Sequence, residues 1–144
     1  MTRLAAKYVA FSLLAGALWG VIGLALAGQV LGAPVWGGVV AAPAIGLGAA
    51  TMFRGFRSRP PGARIALALI SLYLGAGLFA LAAGIVDAMH PVPDRIAWAV
   101  VVQAVLGVWW GITFTGYLPL LWPLAYLTHA LLGRVDVRAA GVGK

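Results

Sequence analysis

The chain is 144 residues long, 63% hydrophobic and 9% charged, with mean hydropathy +1.02; a soluble domain is about 25% charged, so this composition suits lipid rather than water. Ten Lys and Arg against three Asp give a net charge of +7, but the charges lie outside the apolar runs, where they orient a membrane protein and meet lipid headgroups, so no nucleic-acid partner is expected. The absence of cysteine excludes disulfides, thiolate metal sites and thiol redox chemistry.

A helix needs about 20 mostly apolar residues to cross roughly 30 Å of hydrocarbon. Four runs meet that length, at residues 8–28, 35–53, 65–86 and 96–118, and none contains Asp, Glu, Lys or Arg. The runs lack two-residue alternation and are about twice the length of a barrel strand, so helices are expected. The predicted fold is all-α: a polytopic integral membrane protein with four transmembrane helices in one domain over 1–144, followed by a short interfacial helix at the C-terminal end.

The first run follows Arg3 and Lys7 and ends near Ala25-Leu26-Ala27, features shared with a signal peptide. Its length of about 21 residues exceeds the 7–15 of a typical signal-peptide core, so a retained helix is expected. Ser12, Gly16 and Gly20 recur every four residues along it, the spacing that lets membrane helices approach closely. The GxxxG pattern occurs three times in the chain, about what twenty glycines produce by chance, so the spacing alone is weak evidence. A short turn at residues 29–34 leads to the second run, which is nearly all small residues. Pro43 should bend it, and Gly46 should sit at a close helix crossing.

Residues 53–64, FRGFRSRPPGAR, concentrate Arg54, Arg57, Arg59 and Arg64 between the second and third runs. Basic residues flanking spans stay on the cytoplasmic side. With both termini cytoplasmic, as in a bacterial-type inner membrane, nine of the ten basic residues fall inside and Arg95 alone outside. The cluster therefore reads as a topological anchor, and its guanidinium groups are candidates for contact with anionic lipid headgroups.

The third and fourth runs are joined by DAMHPVPDR, residues 87–95, where two prolines oppose helix continuation. From residue 96 apolar sequence continues to Gly133, which as one helix would be about 57 Å long and exceed a single crossing. Pro119 and Pro123 place a break near Tyr117–Trp122, with a short interfacial helix over 119–133 beyond it or, alternatively, a kinked continuation of the fourth helix projecting toward a partner. Trp36 and Trp98 suit one membrane boundary, and Tyr8, Trp122 and Tyr126 the other. Trp19, Trp109 and Trp110 lie deeper, where each indole N–H needs an acceptor, such as Gln103 or a helix carbonyl bared beside a glycine.

Ionisable residues inside spans mark proton relays and ion pathways, and these spans carry none. The chain thus departs from small four-helix multidrug transporters, which rely on a glutamate in their first helix. No phosphate-binding loop or catalytic triad is present. His90 lies between Asp87 and Asp94, a poor metal set, so no metal site is expected. His129 has Ala125 one turn before it and Gly133 one turn after, a spacing that resembles the pigment-ligating pattern of bacterial light-harvesting helices. The resemblance covers three positions and implies a tetrapyrrole on His129; interfacial hydrogen bonding beside Tyr126 and Thr128 is the ordinary reading, and no cofactor is expected.

Three functions remain. The leading expectation is a non-enzymatic packing or accessory subunit, joined to other membrane subunits or to itself, with Gly16, Gly20, Gly46, Gly107 and Gly111 as helix-packing positions. The second is a channel or facilitator for a neutral or apolar solute, lined by Gln103, Thr113, Thr115 and backbone carbonyls freed near Pro43. The third is a lipid- or tetrapyrrole-binding protein using Trp109, Trp110 and His129.

Overall fold

The computed structural model describes residues 3–31, 35–89 and 97–141. These form five α-helices and one 3-10 turn: α1 (Arg3–Leu31), α2 (Trp36–Met52), η1 (Phe56–Ser58), α3 (Pro61–Ala88), α4 (Ala97–Phe114) and α5 (Leu118–Gly141). The described residues contain no strand. Residues 32–34 of the first expected turn, and His90, Asp94 and Arg95 of the 87–95 linker, lie outside the described residues, as does Lys144.

Three segments are long and apolar enough to cross a membrane: Ala6–Leu26, Trp36–Ser58 and Pro61–Ala88, with mean hydropathies of 2.2, 1.4 and 2.3. A fourth span exists if α4 and α5 are counted together across their break. The outer surface agrees with this: Leu18, Val40, Trp98 and Leu120 are all more than half exposed, an arrangement that water penalises and lipid does not.

The α1–α2 pair packs closest where side chains are absent. A Cβ placed on Gly16 would meet the Ala42 carbonyl oxygen and lie 2.9 Å from the Pro43 Cα. One placed on Gly46 would meet the Gly16 Cα and lie 2.7 Å from the Gly16 nitrogen. Backbone faces backbone here, as in small-residue membrane crossings. At the end of the same interface the Tyr8 hydroxyl donates to the Ala50 carbonyl (2.6 Å). Ser12, fully buried one turn on, returns its hydroxyl to the Tyr8 carbonyl, so no polar group is left unpaired against the neighbouring helix.

The arginine-rich hairpin is built by local chemistry. Gly55 adopts φ 73°, a left-handed conformation that glycine reaches without steric cost, and it reverses the chain after α2. The Ser58 hydroxyl closes the turn onto the Gly55 carbonyl (2.7 Å). Arg59 is extended, as a residue before proline must be, and Pro61 opens α3, where its missing N–H costs nothing.

Next, α3 runs antiparallel to α2 and α4. Gly37 and Gly38 admit Val86 and Phe79 of α3, while Gly77 and Gly84 of α3 admit Trp109 and Val101 of α4. The Trp109 indole donates to the Tyr73 carbonyl (3.0 Å), one turn before Gly77, the kind of carbonyl a glycine leaves accessible.

The end of the chain departs from expectation in three ways. The break falls at Thr115–Tyr117, ahead of both prolines, because Gly116 takes φ 79° and ends α4. Pro119 enters the first turn of α5 instead of breaking it, since no helical N–H bond is required there. Pro123 is accommodated inside the helix. The expected short helix over 119–133 is in fact 24 residues long. It is also packed into the bundle. α4 and α5 are bent by 100°, and α5 buries Leu121, Ala125, His129 and Leu132 on one stripe against α1 and α3. The physical reason is the length of α4: it starts beside Gly84 and ends beside Tyr73, well short of the N-terminal end of α3. α5 fills the space left between α1 and α3 and reaches the arginine end, where Gly133 lies under the Arg57 side chain and Leu132 packs with Tyr8 and Ala50.

Candidate functional site

Small residues bring the helices together, yet they leave the bundle axis unfilled. Gly16, Gly46, Gly75, Ala76, Gly111 and Ala125 face a common cavity of about 150 Å³, bounded by all five α-helices and partly open to the exterior. Along α3 it extends from Ser71 to Phe79, which is about 12 Å of helix rise. Phe79, Ile22 and Leu26 wall the end farther from the arginine hairpin. The wall is overwhelmingly apolar.

Four polar side chains from three helices meet at the other end: Trp19 of α1, Ser71 of α3, and Thr128 and His129 of α5. The Trp19 indole donates to the Thr128 hydroxyl (3.2 Å), which donates in turn to the Leu124 carbonyl (2.8 Å). His129 Nε2 and Ser71 Oγ share a hydrogen bond of 2.7 Å. The imidazole is buried, with 6% of its residue surface exposed. Phe53 meets it edge-on at 5.3 Å between centroids, and Phe56 lies tilted against it at 5.4 Å. These contacts tie α5 to the bundle through paired polar groups, which an apolar interior requires.

His129 borders the cavity with its ring already in contact on several sides. Its Nε2 is engaged by Ser71, Phe53 and Phe56 pack on the ring, and Gly133 is covered by Arg57. Trp109 and Trp110 do not join it. Trp109 is committed to Tyr73, and Trp110 stacks on Phe114 (4.6 Å) on the outer face of α4. No group of three or more metal-ligating side chains occurs among the described residues.

The expected polar lining lies elsewhere. Gln103, Thr113 and Thr115 are all exposed on α4 or just past its end, and none borders the cavity. Thr113 pairs with the Tyr73 hydroxyl (2.9 Å) and with the Trp109 carbonyl (2.8 Å), and the Thr115 hydroxyl returns to Gly111. Hydroxyls near a helix end satisfy their own backbone first, which hides them as a lining. Of the five glycines expected at helix contacts, Gly16, Gly20 and Gly46 lie at the α1–α2 crossing, Gly111 is buried at the cavity and Gly107 is half-buried. Sequence reasoning missed Ser71, and it named Trp19 and Thr128 without joining them; the three lie on three separate segments. Their signal is only that each is a polar or amphipathic group within a charge-free run.

Arg54, Arg57 and Arg59 surround one end of the bundle on an exposed hairpin, and Arg64 donates its Nε hydrogen to the Arg59 carbonyl (2.7 Å). Arg54 lies over the Tyr8 ring at 5.2 Å. Phe56, buried at 2% exposure, pins the hairpin to Tyr126 and His129 of α5. The chain matches no protein-family model, no curated protein and no solved structure.

Proposed function

We propose that the chain is a non-enzymatic integral membrane protein that holds a small, neutral, largely apolar molecule inside its helix bundle. The cavity carries this reading. A void of about 150 Å³ with an aliphatic wall stays dry and takes up benzene in a soluble protein, and the cavity here has that volume and a wall of the same character. The cavity wall supports a neutral guest, because it carries no Asp, Glu, Lys or Arg to pair with an ion. The arginine hairpin at one end supports a cytoplasmic placement of that end and of both termini, with anionic lipid as its neighbour.

The test is excess uptake of radiolabelled methylcyclohexane by proteoliposomes over protein-free vesicles, compared with Gly75→Leu. Gly75 borders the cavity and a Cβ there meets nothing nearer than Ile45 at 4.0 Å, so the larger side chain fills the void without forcing helices apart. Saturable uptake by the wild type, abolished in Gly75→Leu, supports the reading; uptake identical in both refutes it.

A packing or accessory role remains the second reading. The stacked Trp110–Phe114 pair, 61% and 69% exposed, offers an aromatic face to a neighbouring subunit as readily as to lipid. A stoichiometric partner retained through native purification, and lost on Trp110→Ala, supports it.

A further inference from the structure

The polar end of the cavity holds one more hydrogen than its own acceptors use. Ser71 contributes one O–H, and a neutral imidazole contributes one N–H and one bare nitrogen. The single contact between His129 and Ser71 spends one of these two hydrogens. If Ser71 donates to Nε2, the imidazole hydrogen sits on Nδ1 and is unspent. If Nε2 donates to Oγ, the serine hydrogen is unspent. Among the described residues neither side chain makes another hydrogen bond, so the count holds for both tautomers. Protonation of the ring would only add a donor. The neighbouring pair is different: Trp19 gives its hydrogen to Thr128 and Thr128 gives its own to Leu124, leaving nothing over.

Both members of the His129–Ser71 pair border the cavity, and His129 is more than nine-tenths buried. The spare hydrogen has no acceptor in the protein, and a guest that supplies one gains a hydrogen bond of ordinary strength beside an apolar wall. We infer that the guest is a ring-sized neutral molecule bearing one oxygen acceptor, a carbonyl or hydroxyl, which it places against the His129–Ser71 pair while its apolar body lies toward Phe79. This inference rests on the guest-holding reading above and names the chemical class of that guest. The polarity also sets the guest's direction: oxygen toward the arginine end of the bundle, hydrocarbon away from it.

The experiment compares cyclohexanone with methylcyclohexane, equal in heavy atoms and differing by a carbonyl oxygen in place of a methyl. Both are radiolabelled and measured as excess uptake by proteoliposomes, with affinities referred to concentration in the lipid phase. Cyclohexanone is expected to bind about fivefold to tenfold more tightly, the factor that one net hydrogen bond of ordinary strength supplies. In the double variant Ser71→Ala/His129→Phe the preference disappears while methylcyclohexane uptake persists, which shows the cavity still formed. Equal affinity for the two compounds in the wild type overturns the inference and leaves the guest-holding reading standing. A preference that survives in the double variant also overturns it. Saturable uptake of neither compound overturns both readings. Should the double variant elute as aggregate, the wild-type ratio decides alone.

Discussion

Adding a single methyl group at Gly46 should push α1 and α2 apart. An ideal Cβ there would lie 2.7 Å from the Gly16 nitrogen and 2.9 Å from the Ser12 carbonyl oxygen, and would also meet the Gly16 Cα. All three are backbone atoms of α1, so no side-chain rotation relieves the clash. Restoring contact at about 3.5 Å requires the helices to separate by up to roughly 1 Å, and a gap of that size forfeits a quarter to a half of each neighbouring dispersion contact. Overpacking of this kind costs about 1–3 kcal/mol. Gly→Ala also raises helix propensity, by about 1 kcal/mol in water. Gly48 separates the two effects: it lies two residues on in the same helix, and a Cβ there meets nothing within 4 Å. Gly48→Ala should therefore be neutral or slightly stabilising. The difference between the two variants isolates the clash and should be about 1–3 kcal/mol, because propensity cancels. Reversible unfolding in bicelles by steric trapping measures both. Equal stabilities for Gly46→Ala and Gly48→Ala would refute the close crossing.

Gly116→Ala should destabilise the α4–α5 break by about 1–2 kcal/mol, since the residue holds φ 79° and a Cβ meets open space, leaving backbone strain as the sole penalty; the same unfolding measurement checks it, and wild-type stability would contradict it. Trp19→Phe and Thr128→Val, combined in a double-mutant cycle, should show a coupling of about 0.5–1.5 kcal/mol, because the Trp19–Thr128 bond joins α1 to α5. Additive effects would show that α5 docks without it. Alkaline phosphatase fused after Arg59 should be inactive in a bacterial host, and high activity there would reverse the proposed orientation.

How much of this was readable beforehand differs from element to element. The runs at 8–28, 35–53 and 65–86 correspond to α1, α2 and α3 because twenty uncharged residues leave the backbone no way to satisfy its hydrogen bonds in lipid except within a helix. α3 begins at Pro61, ahead of the run at 65–86, because proline at the first helical position gives up no helical hydrogen bond. The break before α5 was misplaced because proline is the louder signal in sequence, whereas Gly116, one glycine among twenty, does the work by its sign of φ. His129 stood out as a rare residue in an apolar segment. Ser71 did not, and the pairing of Trp19 with Thr128 was not legible either, since these associations depend on how α1, α3 and α5 are placed around one axis.

Composition and charge placement alone thus determined that this is an apolar, helical chain with its arginines gathered at a hairpin, because transfer from water to oil and local backbone sterics act on each segment independently. The folding of α5 back between α1 and α3, the void of about 150 Å³ that the small residues leave, and the His129–Ser71 pair at its edge were decided by tertiary structure alone. The His129–Ser71 pair alone joins side chains 58 residues apart in sequence, and no periodicity within one helix encodes which face of another it will meet.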